Sequence, residues 1–316
     1  MFTHPMTICS RSTLTIALAA GALALALLVG EGVSVAANPS ADSSAAPVIA
    51  AVGDIACQSS APITTTTCRH AAVARAIEKS DPDSVWLLGD IQYPNGALDD
   101  FRSSFGKSFA SLKSLWRPAP GNHEYYTPGA AGYYDFFGSA AGPAGRGYYS
   151  FNLRNWHVVS LNSNCDVIDC SENSPQLKWL RSDLKKNRNR CTAAFWHHPL
   201  YSSGLVHGDD PRSRPLWQVM QKNRAEFVLT GHDHDFEAFG RQDAFGRRDA
   251  KRGLMQFVVG TGGKSAYGLG QVSSNSRVRI TDSFGFLSMQ LNRNSFDWRY
   301  VQVDGKVRAR GSGRCS

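Results

Sequence analysis

Five short apolar runs in this chain each end on residues that can hold a cation. That repetition constrains the fold more than any other feature of the sequence. Residues 48–52 run into Gly53-Asp54, and residues 85–88 into Gly89-Asp90 with Tyr93 close behind. Residues 115–120 lead to Gly121-Asn122-His123-Glu124, residues 193–196 to His197-His198, and residues 227–230 to Gly231-His232-Asp233-His234. A short apolar run closed by glycine reads as a buried strand. In open α/β sheets the ligand site lies just beyond the carboxyl ends of the strands. Five such ends would gather Asp, Asn, Tyr and His side chains around one crevice, which is the donor set of a two-metal hydrolytic centre.

Between the runs the pattern alternates. A helix is expected over residues 69–79, supported by Ala71, Ala72, Ala74 and Ala76, and another over residues 99–112. Residues 128–147, rich in glycine and proline, read as an extended loop over the site. Residues 148–153 and 156–162 form a hairpin pattern around Asn155. Ser174-Pro175 opens a helix, with serine as cap, proline in the first turn, and Leu177, Leu180 and Leu184 on one face. A short helix is expected near residues 214–222, a strand at 255–259, and a final hairpin at 284–291 and 296–303. This order argues for α/β architecture with antiparallel strands added at the end, in one catalytic domain over residues 48–309. Residues 310–316 are expected to be a C-terminal tail.

The first 37 residues read differently. Residues 13–30 are uncharged and rich in Ala and Leu, Arg11 precedes them, and Val35-Ala36-Ala37 offers a small-residue cleavage pattern. We therefore expect a signal peptide at 1–37, a flexible tether at 38–47, and a secreted or extracytoplasmic protein without stable membrane insertion. Cysteine usage agrees with export. Beyond Cys9 in the leader there remain Cys57, Cys68, Cys165, Cys170, Cys191 and Cys315, an even set that reads as a disulfide framework. Closeness in sequence suggests Cys57 with Cys68 and Cys165 with Cys170, leaving Cys191 for Cys315. The net charge of +8 favours anionic partners. However, the densest basic stretch, 241–252, is interrupted by Asp243 and Asp249, so no nucleic-acid partner is expected. The oligomeric state is left open.

Taken in order, these blocks resemble the calcineurin-like metallophosphoesterases, and more narrowly the purple acid phosphatases. The resemblance rests on Gly53-Asp54, Gly89-Asp90-x-x-Tyr93, Gly121-Asn122-His123-Glu124, His197-x-Pro199 and Gly231-His232-x-His234. It implies a sandwich of two mixed β-sheets flanked by helices. Most calcineurin-like enzymes carry a histidine two residues after the first aspartate, where this chain has Ala56. Tyr93 stands where the purple enzymes place a tyrosinate, a hard anionic donor suited to Fe(III). By resemblance, the first metal takes Asp54, Tyr93, His234 and a bridging Asp90. The second metal, Fe(II), Zn or Mn, takes Asp90, Asn122, His197 and His232.

His123 and His207, not assigned to a metal, align by resemblance with family positions that contact the phosphate or protonate the leaving group, and either could be the acid. His198 reads as structural. Gly260-Thr261-Gly262-Gly263-Lys264-Ser265 is not a nucleotide P-loop, because Val258 occupies the position that needs the first glycine. A backbone turn near the site is the remaining reading. The expected activity is hydrolysis of a small phosphate monoester by a metal-bound hydroxide. The alternatives are a phosphodiesterase or nucleotidase on the same frame, or a secreted protein that binds metal or phosphate without catalysis.

Overall fold

The computed structural model describes residues 45–315 apart from Arg188, so the expected leader and most of the tether lie outside the described residues. The chain begins β1 (Val48–Val52), α1 (His70–Lys79), β2 (Ser84–Leu88), α2 (Leu98–Ser103), α3 (Phe105–Ser108) and β3 (Trp116–Ala119). Next come α4 (Asn122–Tyr125), α5 (Ala131–Phe137), β4 (Tyr149–Leu153) and β5 (Trp156–Ser160). They are followed by α6 (Pro175–Lys186), β6 (Cys191–Phe195), α7 (Arg214–Lys222) and β7 (Phe227–Thr230). The last elements are strands: β8 (Phe236–Phe239), β9 (Met255–Val259), β10 (Ser276–Ile280), β11 (Gly285–Leu291), β12 (Ser295–Gln302) and β13 (Val307–Arg314).

Two mixed sheets result. One has the order β13-β12-β11-β1-β2-β3, in which β1, β2 and β3 are parallel and β11 to β13 are added antiparallel. The other has the order β10-β8-β9-β7-β6-β5-β4, with β5, β6, β7 and β9 parallel. Ile49, Ala51, Trp86 and Leu88 face Ala193, Phe195, Phe227 and Leu229 in the core between the sheets. Their neighbours Ala50, Val52, Val85 and Leu87 turn outward beneath α1, α2 and α3. On the other sheet Ala194 and Val228 turn outward beneath α6 and α7. Burial on both faces explains why these strands read as continuous apolar runs.

Several local expectations hold. Ser174 caps α6 by accepting the Leu177 N–H at 3.2 Å, and Leu177, Leu180 and Leu184 are buried. Disulfides join Cys57 to Cys68, Cys165 to Cys170 and Cys191 to Cys315. Among the described residues, no helix is long and apolar enough to cross a membrane.

Three expectations are corrected. The helix expected over 99–112 is interrupted at Ser104, whose φ of −122° and ψ of −80° are not helical. Its hydroxyl donates to the Cys57 carbonyl, and the chain turns so that Phe101 and Phe105 can pack with Phe136 and Phe137. The segment 128–147 is not an extended loop over the site. It contains α5, whose Tyr133 and Phe137 are buried in the outer core, and this four-residue aromatic spacing was its helical signal. Residues 310–314 are not a tail but the end of β13. Gly311 and Gly313 lie over Trp298 and Phe296, where an added Cβ would come within 2.7 and 2.3 Å of the rings. Glycine in those positions lets the edge strand close on two aromatics, and it hides the strand from a propensity reading.

Candidate metal centre

The five strand ends come together from both sheets, with β1, β2 and β3 contributing from one and β6 and β7 from the other. The turns that follow them are unusual. Asp54, Asp90 and His232 have φ of 60°, 46° and 75°, the left-handed region that non-glycine residues rarely adopt and that clusters at functional sites. The turn at Asp54 is held to the turn at Asp90 by hydrogen bonds from Asp54 N to Gly89 O (3.1 Å) and from Ile55 N to Asp90 O (2.9 Å). Gly89 has a φ of 85°, and a Cβ there would lie 2.6 Å from the His197 ring. Glycine is thus needed both for the turn and for the approach of the imidazole. Ala56, by contrast, has no positive φ, so its methyl group costs nothing.

Two donor clusters share one atom. The Tyr93 hydroxyl lies 3.1 Å from Asp54 Oδ1, 3.0 Å from Asp90 Oδ2 and 3.0 Å from His234 Nε2. His197 Nε2 lies 3.3 Å from the same Asp90 Oδ2, 3.2 Å from Asn122 Oδ1 and 3.1 Å from His232 Nδ1. The strained turn at His232 sends its ring into the second cluster, while His234 enters the first. The one-residue spacing of the two histidines does not by itself dictate this division, which the family resemblance had implied.

Neighbouring groups fix each donor. His197 Nδ1 bonds to Leu88 O at 2.8 Å, and His234 Nδ1 to Ser265 Oγ at 2.8 Å. These bonds leave both Nε2 atoms facing the centre. Ser265 and Lys264 come from the glycine-rich segment that is not a P-loop. Its Lys264 N–H bonds to Asp54 O at 3.1 Å, and its ammonium sits 5.2 Å from the centre of the Tyr93 ring. Asn122 Nδ2 donates to the Tyr126 hydroxyl at 3.2 Å, which turns the amide oxygen toward His197.

The sequence reading overlooked two carboxylates. Glu124, fully buried at the end of the Asn-His-Glu block, accepts the N–H groups of Gly121 (2.7 Å), Asp90 (2.9 Å), Ile91 (2.9 Å) and Gln92 (3.2 Å). Its position three residues after Gly121 is the spacing of a capping box, the signal that could have revealed it. Asp233, between the two histidines, turns away from the centre. It accepts Ser202 Oγ (2.5 Å), His207 N (3.2 Å) and Gly208 N (3.0 Å), and so holds the loop that carries His207.

The electrostatics are those of a site built for cations. Burial works to raise the Asp90 carboxyl, but His197, His123 and His232 hold it far below the usual carboxylate range. His197 is lifted to about 9, because the Asp90 charge outweighs the effect of its burial. Burial, together with Asp90 and Asp54, pushes the Tyr93 phenol well above its ordinary value. Burial and its histidine neighbours push His232 far down. Glu124 is raised to about 7 by burial and by Asp90. Donor atoms and negative charge thus converge on two points, and a cation at the second would take the place of the proton that Asp90 holds on His197.

The remaining histidines separate by position. His123 Nε2 stands 3.8 Å from Asp90 Oδ2, its Nδ1 meets Pro94 O, and its ring packs 4.2 Å from that of Tyr93. The His207 ring stacks on His232 at 3.9 Å, and burial lowers its pKa. His198 shares a possible cation-binding group with His197 and His232. Its Nδ1, however, is engaged by Ser163 Oγ at 2.8 Å, and burial lowers it to about 3, which fits a structural neutral imidazole.

Comparison with known proteins follows the same stretch of chain. Residues 47–236 match the calcineurin-like phosphoesterase family. The chain is 30% identical over 207 residues to a probable purple acid phosphatase 20 of Arabidopsis thaliana, covering 59% of this chain and 47% of that one. Its fold superposes on the purple acid phosphatase PPD1 from yellow lupin (Lupinus luteus) seeds with a TM-score of 0.74 at 18% identity. That match covers 85% of this chain and 54% of that one. It also superposes on a dimetal phosphatase from Danio rerio with a TM-score of 0.58 at 15% identity, covering 86% of this chain and 100% of the other. The chain therefore spans about half the length of the plant proteins it matches.

Proposed function

Because this chain belongs to the calcineurin-like phosphoesterase family, we propose that it is an exported, metal-dependent phosphatase that hydrolyses phosphate monoesters. The observation that carries the reading is the shared oxygen: Asp90 Oδ2 lies 3.0 Å from the Tyr93 hydroxyl and 3.3 Å from His197 Nε2. Asp54, Tyr93, His234 and Asp90 would hold one ion, and Asp90, Asn122, His197 and His232 the other. A phenolate beside two carboxylates suits Fe(III), while the second set, richer in imidazole, suits Fe(II), Zn or Mn. Bound there, the two ions would offset charge on the phosphate and lower the pKa of the water that attacks phosphorus.

The protein's own groups complete the chemistry. His123, on the rim beside Asp90, is placed to donate to an equatorial phosphate oxygen. His207, on the loop held by Asp233, is placed to protonate the departing oxygen, a role suited to an imidazole. Export accords with the three disulfides and with the apolar leader sequence.

The test is metal analysis, visible absorption and turnover of the purified protein on phenyl phosphate and on a bis-aryl diester. Two metals per chain, a broad visible band that Tyr93→Phe abolishes, and faster monoester turnover are expected. A colourless, fully active two-zinc protein would remove iron from the assignment. Faster diester turnover would make the chain a phosphodiesterase. A metal-loaded protein inert toward both esters would be a binding protein.

A further inference from the structure

Beside the second donor cluster, a cavity of about 340 Å³ opens between Asn122, His207 and His232 on one side and Tyr126, Val167 and Arg212 on the other. The first side belongs to the proposed catalytic centre. The second supplies no donor to either cluster and touches the centre only through the bond from Asn122 to the Tyr126 hydroxyl. Tyr126 and Val167, each 60% exposed, present apolar surface to the mouth of this cavity. Leu205 and Val206, also exposed, lie on the loop that delivers His207.

Each of these two residues is fixed in place. Tyr126 is held by Asn122 Nδ2 at its hydroxyl (3.2 Å), and its ring packs 4.7 Å from that of His123. Val167 sits on a loop closed by the Cys165–Cys170 disulfide, where the N–H groups of Val167 and Ile168 both reach Asn164 O at 2.9 Å. Asp166 on that loop pairs with Arg212. Arg212 in turn forks onto Asp210, through Nε at 2.8 Å and Nη2 at 2.7 Å. The guanidinium is therefore matched by two carboxylates. No other lysine or arginine lines the cavity among the described residues. A leaving group bearing a second phosphate would find no uncommitted cation there, whereas an aromatic face would find a ring and a branched aliphatic chain.

We propose that this cavity is the leaving-group subsite, and that it selects monoesters whose leaving group is uncharged and flat, seated against Tyr126 and Val167. The proposal rests on the phosphatase reading, and it can be tested apart from turnover. Phenylphosphonate and 2-naphthylphosphonate carry a carbon–phosphorus bond that ester hydrolysis cannot break, so their binding to the metal-loaded full chain can be measured by calorimetry. The naphthyl compound should bind roughly tenfold more tightly, the scale on which a hydrophobic pocket discriminates modest differences in size. Tyr126→Ala and the surface change Val167→Asp should each erase most of that gap. Tyr126→Phe, which keeps the ring and loses only the bond from Asn122, should retain it. Equal affinities in the wild type, or a gap that survives both Tyr126→Ala and Val167→Asp, would overturn the proposal. If the gap behaves as expected while aryl phosphates are not hydrolysed, the subsite stands as a binding site and the phosphatase reading falls.

Discussion

The carboxylate of Glu124 receives the backbone N–H of Asp90 at 2.9 Å, so a residue outside the donor clusters holds the backbone of the one residue common to both. Three further N–H groups converge on the same carboxylate, and together they stabilise a turn whose φ of 46° would otherwise be unfavourable.

Glu124→Ala should strand those buried donors. At roughly 1–3 kcal/mol for an unsatisfied buried group, non-additively, a loss of roughly 3 kcal/mol or more is expected. Thermal melting should report this as a fall on the order of 10 °C, and Glu124→Gln, which keeps one acceptor, should recover part of it. A melting temperature unchanged in Glu124→Ala would mean that the turn is held by other means.

Asp90→Asn should bind at most one metal per chain and lose at least ~10²-fold in turnover, because a neutral amide cannot hold two cations together. Asp54→Asn should weaken mainly the cluster around Tyr93. Metal content by mass spectrometry after gel filtration distinguishes the two. Equal and mild effects of both changes would refute the bridging role.

His207→Ala should leave metal content intact and slow alkyl phosphates by ~10²–10⁴-fold, while activated aryl phosphates are nearly spared. An alkoxide needs a proton as it departs and a nitrophenolate does not. A uniform loss across leaving groups would move the acid role to His123.

His70, buried at the start of α1 and 3.2 Å from Ser104 Oγ, is lowered to about 4 by burial. A histidine with a depressed pKa binds fewer protons folded than unfolded between pH 6.5 and 4. Its contribution to stability is therefore intact above pH 6.5 and drains as the pH falls through that window. The contribution is on the order of 3 kcal/mol. Denaturation midpoints across the window should fall less steeply in His70→Leu than in the wild type. Parallel curves would show that the imidazole is solvated or already protonated in the fold.

How much of this was legible in the sequence depended on where the physical signal resides. The strands that carry donors were readable because each is buried on both faces and stopped by a turn. The α6 helix was readable because Ser174, Pro175 and three leucines all agree. The α2–α3 break was hidden, since it depends on Ser104 bonding to Cys57, 47 residues away in the chain. Strand β13 was hidden because its glycines serve Trp298 and Phe296 on the neighbouring strand. At the centre, donor types announced themselves by spacing, whereas Asp233 and Glu124 act on backbone N–H groups that any residue could supply. The division of His232 and His234 between the clusters came only from the family resemblance, since it depends on a single left-handed φ that their spacing does not reveal.

The Cys191–Cys315 disulfide joins the first residue of β6, in one sheet, to the residue just past β13, in the other. The donor clusters join the same two sheets at the opposite, carboxyl end of β6. A loaded protein would thus be latched at both ends of its sandwich by bonds of unrelated chemistry, one opened by reductants and the other by chelators or strong acid. Opening the sandwich at both ends would thus take two unrelated stresses acting together.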